Sequence, residues 1–197
     1  RLIWLMILHG IILRVRPKKS AKAYESIWTD NGSPLVHITK QQASKLSKLI
    51  KSEGYENTEV VMAMRYGNPS IESGLEALRD KGLTRIIVLP LYPQYSSPTT
   101  GSTFDAVATV LKKWRWAPEL HFIIGYHKTP KYISALAASI AEDLKEHGTP
   151  EKIVFSYHGM PKQFLSNGDP YHCLCHQTTN LVVKELGIDK DLVITTF

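Results

Sequence analysis

Residues 152–172 read KIVFSYHGMPKQFLSNGDPYH, a segment that changes from apolar to polar within a few positions. The apolar run at residues 153–155 is short and typical of a buried strand. Polar residues follow at once, and among them His158 precedes Gly159, which lets the backbone turn sharply. In a parallel α/β sheet the carboxyl ends of the strands form the ligand crevice. The segment therefore predicts a histidine at a ligand site; the alternative is an imidazole that hydrogen-bonds a loop.

The composition is that of a folded, basic protein. A chain of 197 residues with 43% hydrophobic and 21% charged side chains can bury a core, which excludes a disordered chain. The formal charge of +6 favours acidic partners such as nucleic acid, anionic lipid or a small polycarboxylate, without choosing among them. Cys173 and Cys175 are too close in sequence to cross-link a fold. We therefore expect a reducing compartment and two ordinary thiols near a helix start, in preference to a metal pair.

Strand-like and helix-like segments alternate along the chain. Short apolar runs predict strands at residues 60–64, 85–91, 120–124, 153–155 and 192–194. Amphipathic segments predict helices at residues 22–28, 41–53, 70–81, 104–114, 130–147 and 178–186. The connections are long enough for crossover helices. This alternation predicts an α/β fold with a parallel sheet flanked by helices on both faces.

Polar residues stand at three successive predicted strand ends: Arg65 with Tyr66, residues 92–100, and residues 156–158. Because the carboxyl ends of parallel strands meet at one edge of a sheet, all three clusters can line one crevice. The hydroxyl-rich loop at residues 92–101 also suits an anion held on free backbone N–H groups. Neither G-x-G-x-x-G nor G-x-x-x-x-G-K-[ST] occurs, so a nucleotide site is poorly supported.

The first strongly apolar segment, residues 2–15, has two interpretations. It is shorter than the roughly 20 residues that cross a bilayer, and it lacks the small-residue cleavage site of a signal peptide. A buried helix is the simpler interpretation. The alternative is an apolar lip resting on a membrane surface, because basic residues flank it at Arg14, Arg16, Lys18 and Lys19.

Three segments together resemble the ferrochelatase family, the enzymes that insert ferrous iron into a porphyrin at the end of haem synthesis. They are LPLYPQYSSPTTGSTFDAV at residues 89–107, FSYHGMPKQFLSNGDPYH at residues 155–172, and the turn GSPL at residues 32–35. The resemblance implies two similar α/β lobes facing each other across a cleft. Residues 1–150 would form the first lobe without its opening strand, and residues 151–197 would begin an incomplete second lobe.

The resemblance also implies an activity and its central residues. The expected reaction inserts Fe(II) into protoporphyrin IX to give protohaem, with these two substrates and no nucleic acid as partners. Metal insertion removes two pyrrole protons, and a neutral imidazole can both accept a proton and ligate Fe(II). The family's histidine with this role falls on His158, and a pocket tyrosine falls on Tyr92.

Porphyrin-binding positions carry over by the same resemblance. The family's arginine that binds the propionates matches Arg16, since a guanidinium suits a carboxylate geometrically. Tyr24 and Ser33 fall where residues contact the same substrate, and Arg65 with Tyr66 matches a pocket-lining pair. For the tyrosines Tyr24 and Tyr66, ordinary packing is an equally good interpretation.

Two departures from the family pattern limit these expectations. The family's glutamate opposite the histidine is expected beyond Phe197, so residues 1–197 alone are expected to be inactive. Animal members carry an iron–sulfur cluster with a cysteine where this chain has Ser97, so no such cluster is expected. The loop lengths resemble bacterial members. The resemblance implies a cytoplasmic protein with peripheral contact at the inner membrane surface through residues 2–15.

Two other functions stay open at this point. One is a basic α/β domain that binds an anionic tetrapyrrole without catalysis. The other is a cobalt chelatase that acts on a sirohydrochlorin-type ring, which carries many more carboxylates than protoporphyrin.

Overall fold

The computed structural model describes residues 21–22 and 24–197. The chain divides into two compact units, Arg1–Ser70 and Ile71–Phe197, and each is described below by itself. Arg16 and the apolar residues 2–15 lie outside the described residues, so the roles expected of them stay predictions. The predicted lobe boundary between residues 150 and 151 also stays a prediction.

The described part of the first unit is built around one long helix, α1, Pro34–Ser52. The helix begins seven residues before the predicted start at residue 41, because Pro34 occupies its first turn, where no N–H is needed. The predicted strand at residues 60–64 is wrong, since the structure shows there one isolated bridge between Met64 and Ser70. An extended apolar run becomes a strand when a neighbour pairs with its backbone, and no described residue of this unit does so beyond that bridge.

The second unit contains all four strands of the described chain, in two parallel pairs. Strand β1 pairs with β2, with Arg85 opposite Glu119, and β3 pairs with β4, with Ile153 opposite Val193. In chain order the elements are α2 Ile71–Asp80, β1 Arg85–Val88, a π-helix Ser97–Gly101, α3 Ser102–Leu111, β2 Glu119–Phe122, α4 Pro130–His147, β3 Ile153–Ser156, α5 Lys162–Ser166, α6 Tyr171–Leu186, a 3₁₀-helix Lys190–Leu192 and β4 Val193–Thr196.

The prediction of an α/β fold with parallel strands is confirmed, with two differences in detail. The described strands form two separate pairs instead of one continuous sheet. Strand β1 ends at Val88 and not at residue 91, since Pro90 has no N–H to donate to a ladder. No helix of the described residues is both long enough and apolar enough to cross a membrane.

Each strand pair has its own apolar core. Beside β1 and β2 the core residues are Leu75, Ile86, Val107 and Val110. Beside β3 and β4 the helices α4 and α6 contribute Ile133, Ala137 and Val182, the last fully buried. Helix α6 thus packs into the second core through its apolar face, while its first turn forms hydrogen bonds with residues outside the helix.

Helix α6 begins at Tyr171, seven residues before the predicted start at residue 178. Its buried face includes Cys175, Thr178 and Thr179, and the two threonines are side chains that a hydrophobicity pattern does not score as core. The two cysteines therefore lie inside the helix, Cys173 exposed and Cys175 buried, both as free thiols. The predicted position of the two cysteines near a helix start is confirmed, whereas their role as ordinary thiols stays a prediction.

Candidate functional site

The end of β3 places its polar residues on opposite sides of the sheet. The ladder continues one step past the strand, where the Tyr157 N–H donates to the Thr196 carbonyl at 2.9 Å. The Tyr157 ring stacks on Phe197 with 5.7 Å between ring centres, and its hydroxyl lies 3.0 Å from the Thr179 hydroxyl. Since successive strand residues face opposite sides, His158 faces away from these contacts and is exposed.

His158 is held at the strand end through its main chain and not through its ring. Its backbone N–H donates to the Tyr171 hydroxyl at 3.2 Å, which fixes the main chain at the strand end. No residue of the described chain makes a hydrogen bond with the ring itself. The alternative interpretation, in which this ring hydrogen-bonds a loop, is therefore wrong for the described residues.

Gly159 is required by a close approach of two backbones. A Cβ atom at this position would lie 3.2 Å from the carbonyl carbon of Phe197. A side chain here would push the strand end away from the residue that follows β4. The glycine of the SYHG sequence therefore allows the ends of β3 and β4 to lie close together.

The Asp169 carboxylate is the most heavily bonded group of this region. Its Oδ2 accepts from the Ser96 hydroxyl at 2.9 Å, the Ser97 N–H at 2.7 Å and the Ser97 hydroxyl at 2.9 Å. Its Oδ1 accepts from the Tyr171 N–H at 3.0 Å. The Ser97 N–H of the loop at residues 92–101 is thus occupied by a carboxylate of the chain itself, and the binding of an anionic ligand by this loop stays a prediction.

Hydrogen bonding keeps Asp169 ionised although the residue is buried. Burial by itself raises the pKa of a carboxyl, because it disfavours the charged form. Here the hydrogen bonds from Ser97, Tyr171 and Ser96 outweigh burial, and the pKa of Asp169 lies below its ordinary value of 3.8. The carboxylate is therefore charged at neutral pH and binds its donors strongly.

The loop that carries Tyr92 is tied to the exit of β2. The Pro93 carbonyl accepts hydrogen bonds from the Tyr126 and His127 N–H groups, both at 3.0 Å. A Cβ at Gly125 would lie 3.0 Å from that same carbonyl oxygen, so a glycine is needed for the crossing. Tyr92 itself is 38% exposed.

Helix α6 connects these strand ends. The buried Gln94 amide donates to the Thr178 hydroxyl at 2.9 Å, and His127 Nε2 lies 2.7 Å from Gln177 Oε1. Tyr171, in the first turn of the same helix, binds the main chain of His158. The structure therefore connects the Tyr92 loop and the His158 strand end through α6. The two side chains share no hydrogen bond with each other in the described chain.

Four of the five predicted site residues of the first unit are described by the structure. The Arg65 guanidinium stacks over the Tyr66 ring at 4.6 Å from its centre, so these two are brought together. Tyr66 and Tyr24 are 71% and 66% exposed, and neither is packed in a core. Ser33 occupies the N-cap position of α1 without a side-chain capping bond. Their contact with a substrate stays a prediction, as does that of Arg16.

Sequence reasoning missed Asp169 and Tyr171, which the geometry places at the centre of the region. A signal for both was present. Asp-Pro-Tyr after Asn167-Gly168 is typical of a helix N-terminus, where an aspartate accepts from an N–H two residues later. The described residues contain no group of three or more His, Cys, Asp or Glu side chains that could hold a metal. His158 therefore belongs to no ready-made metal cage within them.

Comparison with known proteins gives one consistent family. A family model described as Ferrochelatase matches residues 1–197. Ferrochelatase 2 of Shewanella oneidensis is 51% identical over 197 residues, which is the whole of this chain and 60% of the relative. The ferrochelatases of Idiomarina loihiensis and Marinobacter nauticus are 50% and 49% identical over the whole chain, which covers 54% and 53% of their lengths. The chain thus spans between half and two thirds of these curated relatives.

We expect Asp169→Asn to lower the free energy of unfolding of the complete protein by about 2–4 kcal/mol, since it removes the charged acceptor of one buried and three partly buried donors. Urea unfolding at about pH 7 measures this. The control is Asp143→Asn, since the exposed Asp143 carboxylate pairs with His147 at the surface. This substitution should change the free energy of unfolding by about 0.5 kcal/mol or less. Equal effects of the two substitutions would contradict the assigned role of Asp169.

The Asp169 contribution should also depend on pH in a defined direction. Because the folded-state pKa lies below the ordinary value of 3.8, the stabilisation is present above that value and is lost as the pH falls through the folded pKa. The stability difference between the native protein and Asp169→Asn should therefore shrink as the pH falls below the ordinary value of 3.8. A difference that grows with acidity would have the wrong sign.

Proposed function

Since the chain belongs to the ferrochelatase family, we propose that the complete protein inserts Fe(II) into protoporphyrin IX to form protohaem. The observation that carries the proposal is the exposed His158 ring, without a hydrogen-bond partner among the described residues, at the end of β3. A ring packed in a closed core could meet neither a macrocycle nor a metal. The proposal concerns the complete protein, because this chain spans 60% or less of the relatives compared.

Iron insertion requires a group that can accept a proton and can also bind Fe(II), one after the other. One Fe²⁺ enters the ring as two pyrrole protons leave, so the charge of the macrocycle site stays balanced. A neutral imidazole has an ordinary pKa of about 6.5 and accepts a proton near physiological pH. The same nitrogen suits Fe(II) as a ligand. We assign both tasks to His158 and place Tyr92 in the same site.

The porphyrin propionates need cationic and polar partners. The basic balance of the chain, +6, supports an anionic substrate. We assign propionate and pocket contacts to Arg16, Tyr24, Ser33, Arg65 and Tyr66 on the family resemblance. Ser97 leaves no thiolate at the position where animal members bind a cluster, and its hydroxyl and N–H are engaged by Asp169. We therefore propose iron as substrate without an iron–sulfur cluster, which the visible absorption spectrum of the complete protein tests.

His158→Ala should lower the rate of iron insertion by at least about 10²-fold, since general base catalysis contributes roughly that much. Porphyrin binding, followed by fluorescence quenching, should be retained. The matched control is His147→Ala, an exposed histidine at the end of α4, which should leave the rate unchanged.

The same assay separates the alternative functions. Unchanged insertion in His158→Ala would contradict the assigned role of this ring. Porphyrin binding without any insertion by the native complete protein would instead favour a non-catalytic tetrapyrrole-binding domain. Faster insertion of Co(II) into a sirohydrochlorin-type ring than of Fe(II) into protoporphyrin would favour the cobalt chelatase.

Arg65→Gln should raise the KM for protoporphyrin about tenfold, because a hydrogen bond to a charged group contributes about 1.5 kcal/mol or more. The kcat should change little, since the contact is equally strong before and during the reaction. Arg115→Gln is the control, an exposed arginine of the second unit with no assigned role. Equal KM values for Arg65→Gln and the native protein would remove Arg65 from the porphyrin site.

We also propose that the protein is cytoplasmic and contacts the inner membrane surface through residues 2–15. Placing charges in this segment, with Leu8→Asp and Ile12→Asp together, should reduce co-sedimentation with anionic phospholipid vesicles at least severalfold. The control is Ser20→Asp with Ala21→Asp, which adds the same charge just outside the segment. Unchanged vesicle binding in the Leu8 and Ile12 double variant would contradict the membrane assignment and would favour a buried helix.

A further inference from the structure

The first turns of α6 carry a cluster of rings that the proposed insertion chemistry does not use. His172 and His176 are one helical turn apart, with ring centres separated by 4.7 Å and ring planes at 64°. Phe197, which follows β4, packs on both of them, at 4.6 Å from His172 and 5.4 Å from His176. We call these three residues the His–Phe cluster.

Both imidazoles of the cluster have available nitrogens. Within the described chain neither ring makes a hydrogen bond, and the contacts of both are ring contacts alone. His172 is exposed and His176 is half-buried. Both rings line an open cavity of about 960 Å³, so an ion in solution can reach them.

The spacing of the two rings fits a shared metal ion. An imidazole nitrogen lies about 2.0–2.1 Å from a bound Zn²⁺, so two rings on one ion have centres roughly 4.5–5 Å apart. The observed separation of 4.7 Å falls within that interval. Histidines four residues apart on a helix share one face, so binding requires no change in the helix backbone. Packing on Phe197 already limits the motion of both rings.

The surroundings select a class of metal. No carboxylate of the described residues lines the cavity, whereas Lys184 and Lys190 do. Hard cations such as Mg²⁺ and Ca²⁺ require oxygen ligands and are disfavoured here. Imidazole suits borderline divalent ions, including Fe(II), Co(II) and Zn(II). With two histidine ligands, further coordination positions stay open to water, which favours exchange over permanent binding.

The cluster lies beside the strand end that carries His158. Phe197 packs so closely on Gly159 that a Cβ there would be 3.2 Å from it. Tyr171, which precedes His172, accepts a hydrogen bond from the His158 N–H. We propose that His172 and His176 form an exchangeable site for a divalent transition metal close to the main chain of the strand end that carries His158. The site stands on this geometry, while its use in supplying ferrous iron rests on the proposed function.

The test uses the complete protein carrying His158→Ala, so that His158 contributes no metal binding. The probe is Co(II) alone, titrated by calorimetry and by its visible absorption bands. We expect His172→Phe and His176→Phe, each added to this background, to weaken Co(II) binding about tenfold or more, since each removes one of two protein ligands. Phenylalanine keeps a ring that packs on Phe197, so loss of binding reports the nitrogen and not the stack.

Controls separate the metal site from general damage. Adding His147→Ala to the same background removes an exposed histidine elsewhere and should leave Co(II) affinity unchanged. The Tm of each variant without metal should match that of its parent. Co(II) affinity that is unchanged in both phenylalanine variants overturns the site, as does absence of Co(II) binding in the His158→Ala protein.

These results are distinguishable from failure of the proposed function. Iron insertion by the native protein is measured separately. If the native protein inserts no iron but both phenylalanine variants bind Co(II) more weakly than their parent, the metal site is supported and the proposed insertion reaction is contradicted. If the native protein inserts iron and all variants bind Co(II) equally, the reaction is supported and the metal site is contradicted.

Discussion

The Asp169 carboxylate joins parts of the chain that are 73 residues apart in sequence. It is the acceptor for the hydroxyls of Ser96 and Ser97 and for the N–H groups of Ser97 and Tyr171. Without it, the buried Ser96 hydroxyl and three partly buried donors would lose their partner, and the loop after β1 would lose its link to the first turn of α6. Because Tyr171 in turn binds the His158 main chain, the position of the proposed base depends on a residue that takes no part in the chemistry.

Close packing of α6 requires small and neutral side chains on its buried face. Burial raises the pKa of Cys175 to about 11 and that of Tyr171 to about 12, so both stay uncharged at physiological pH. Neutral groups can be enclosed at low cost, whereas a thiolate or phenolate there would need a cation beside it. The helix therefore supports three strand ends through short polar contacts without placing an uncompensated charge in the core.

The sequence predicted the parallel α/β alternation and a histidine at a strand end because both leave local patterns, an apolar run and a polar strand end. It did not predict the bonds of Asp169 to Ser96 and Ser97, because these donors lie 73 and 72 residues from the acceptor and no local pattern pairs them. The start of α6 was missed for a different reason. Its core face uses Cys175, Thr178 and Thr179, whose burial depends on the close approach of neighbouring elements and not on hydrophobicity. The strand at residues 60–64 was overpredicted, since local apolarity cannot say whether a neighbour is present to pair.

The pair of imidazoles formed by His172 and His176 would allow the two tasks assigned to His158 to follow one another in the proposed reaction. A proton and Fe(II) compete for the same lone pair of a neutral imidazole, so one histidine cannot hold the metal firmly and accept a pyrrole proton at the same time. If the His–Phe cluster holds the ion before insertion, the His158 nitrogen stays free for the proton. Weak, two-ligand binding then becomes an advantage, because a tightly held ion would have to leave several protein ligands before entering the macrocycle. The exposed ring of His158 and the paired rings of His172 and His176 are thus suited to different steps of one reaction, although all three lie around the same strand end.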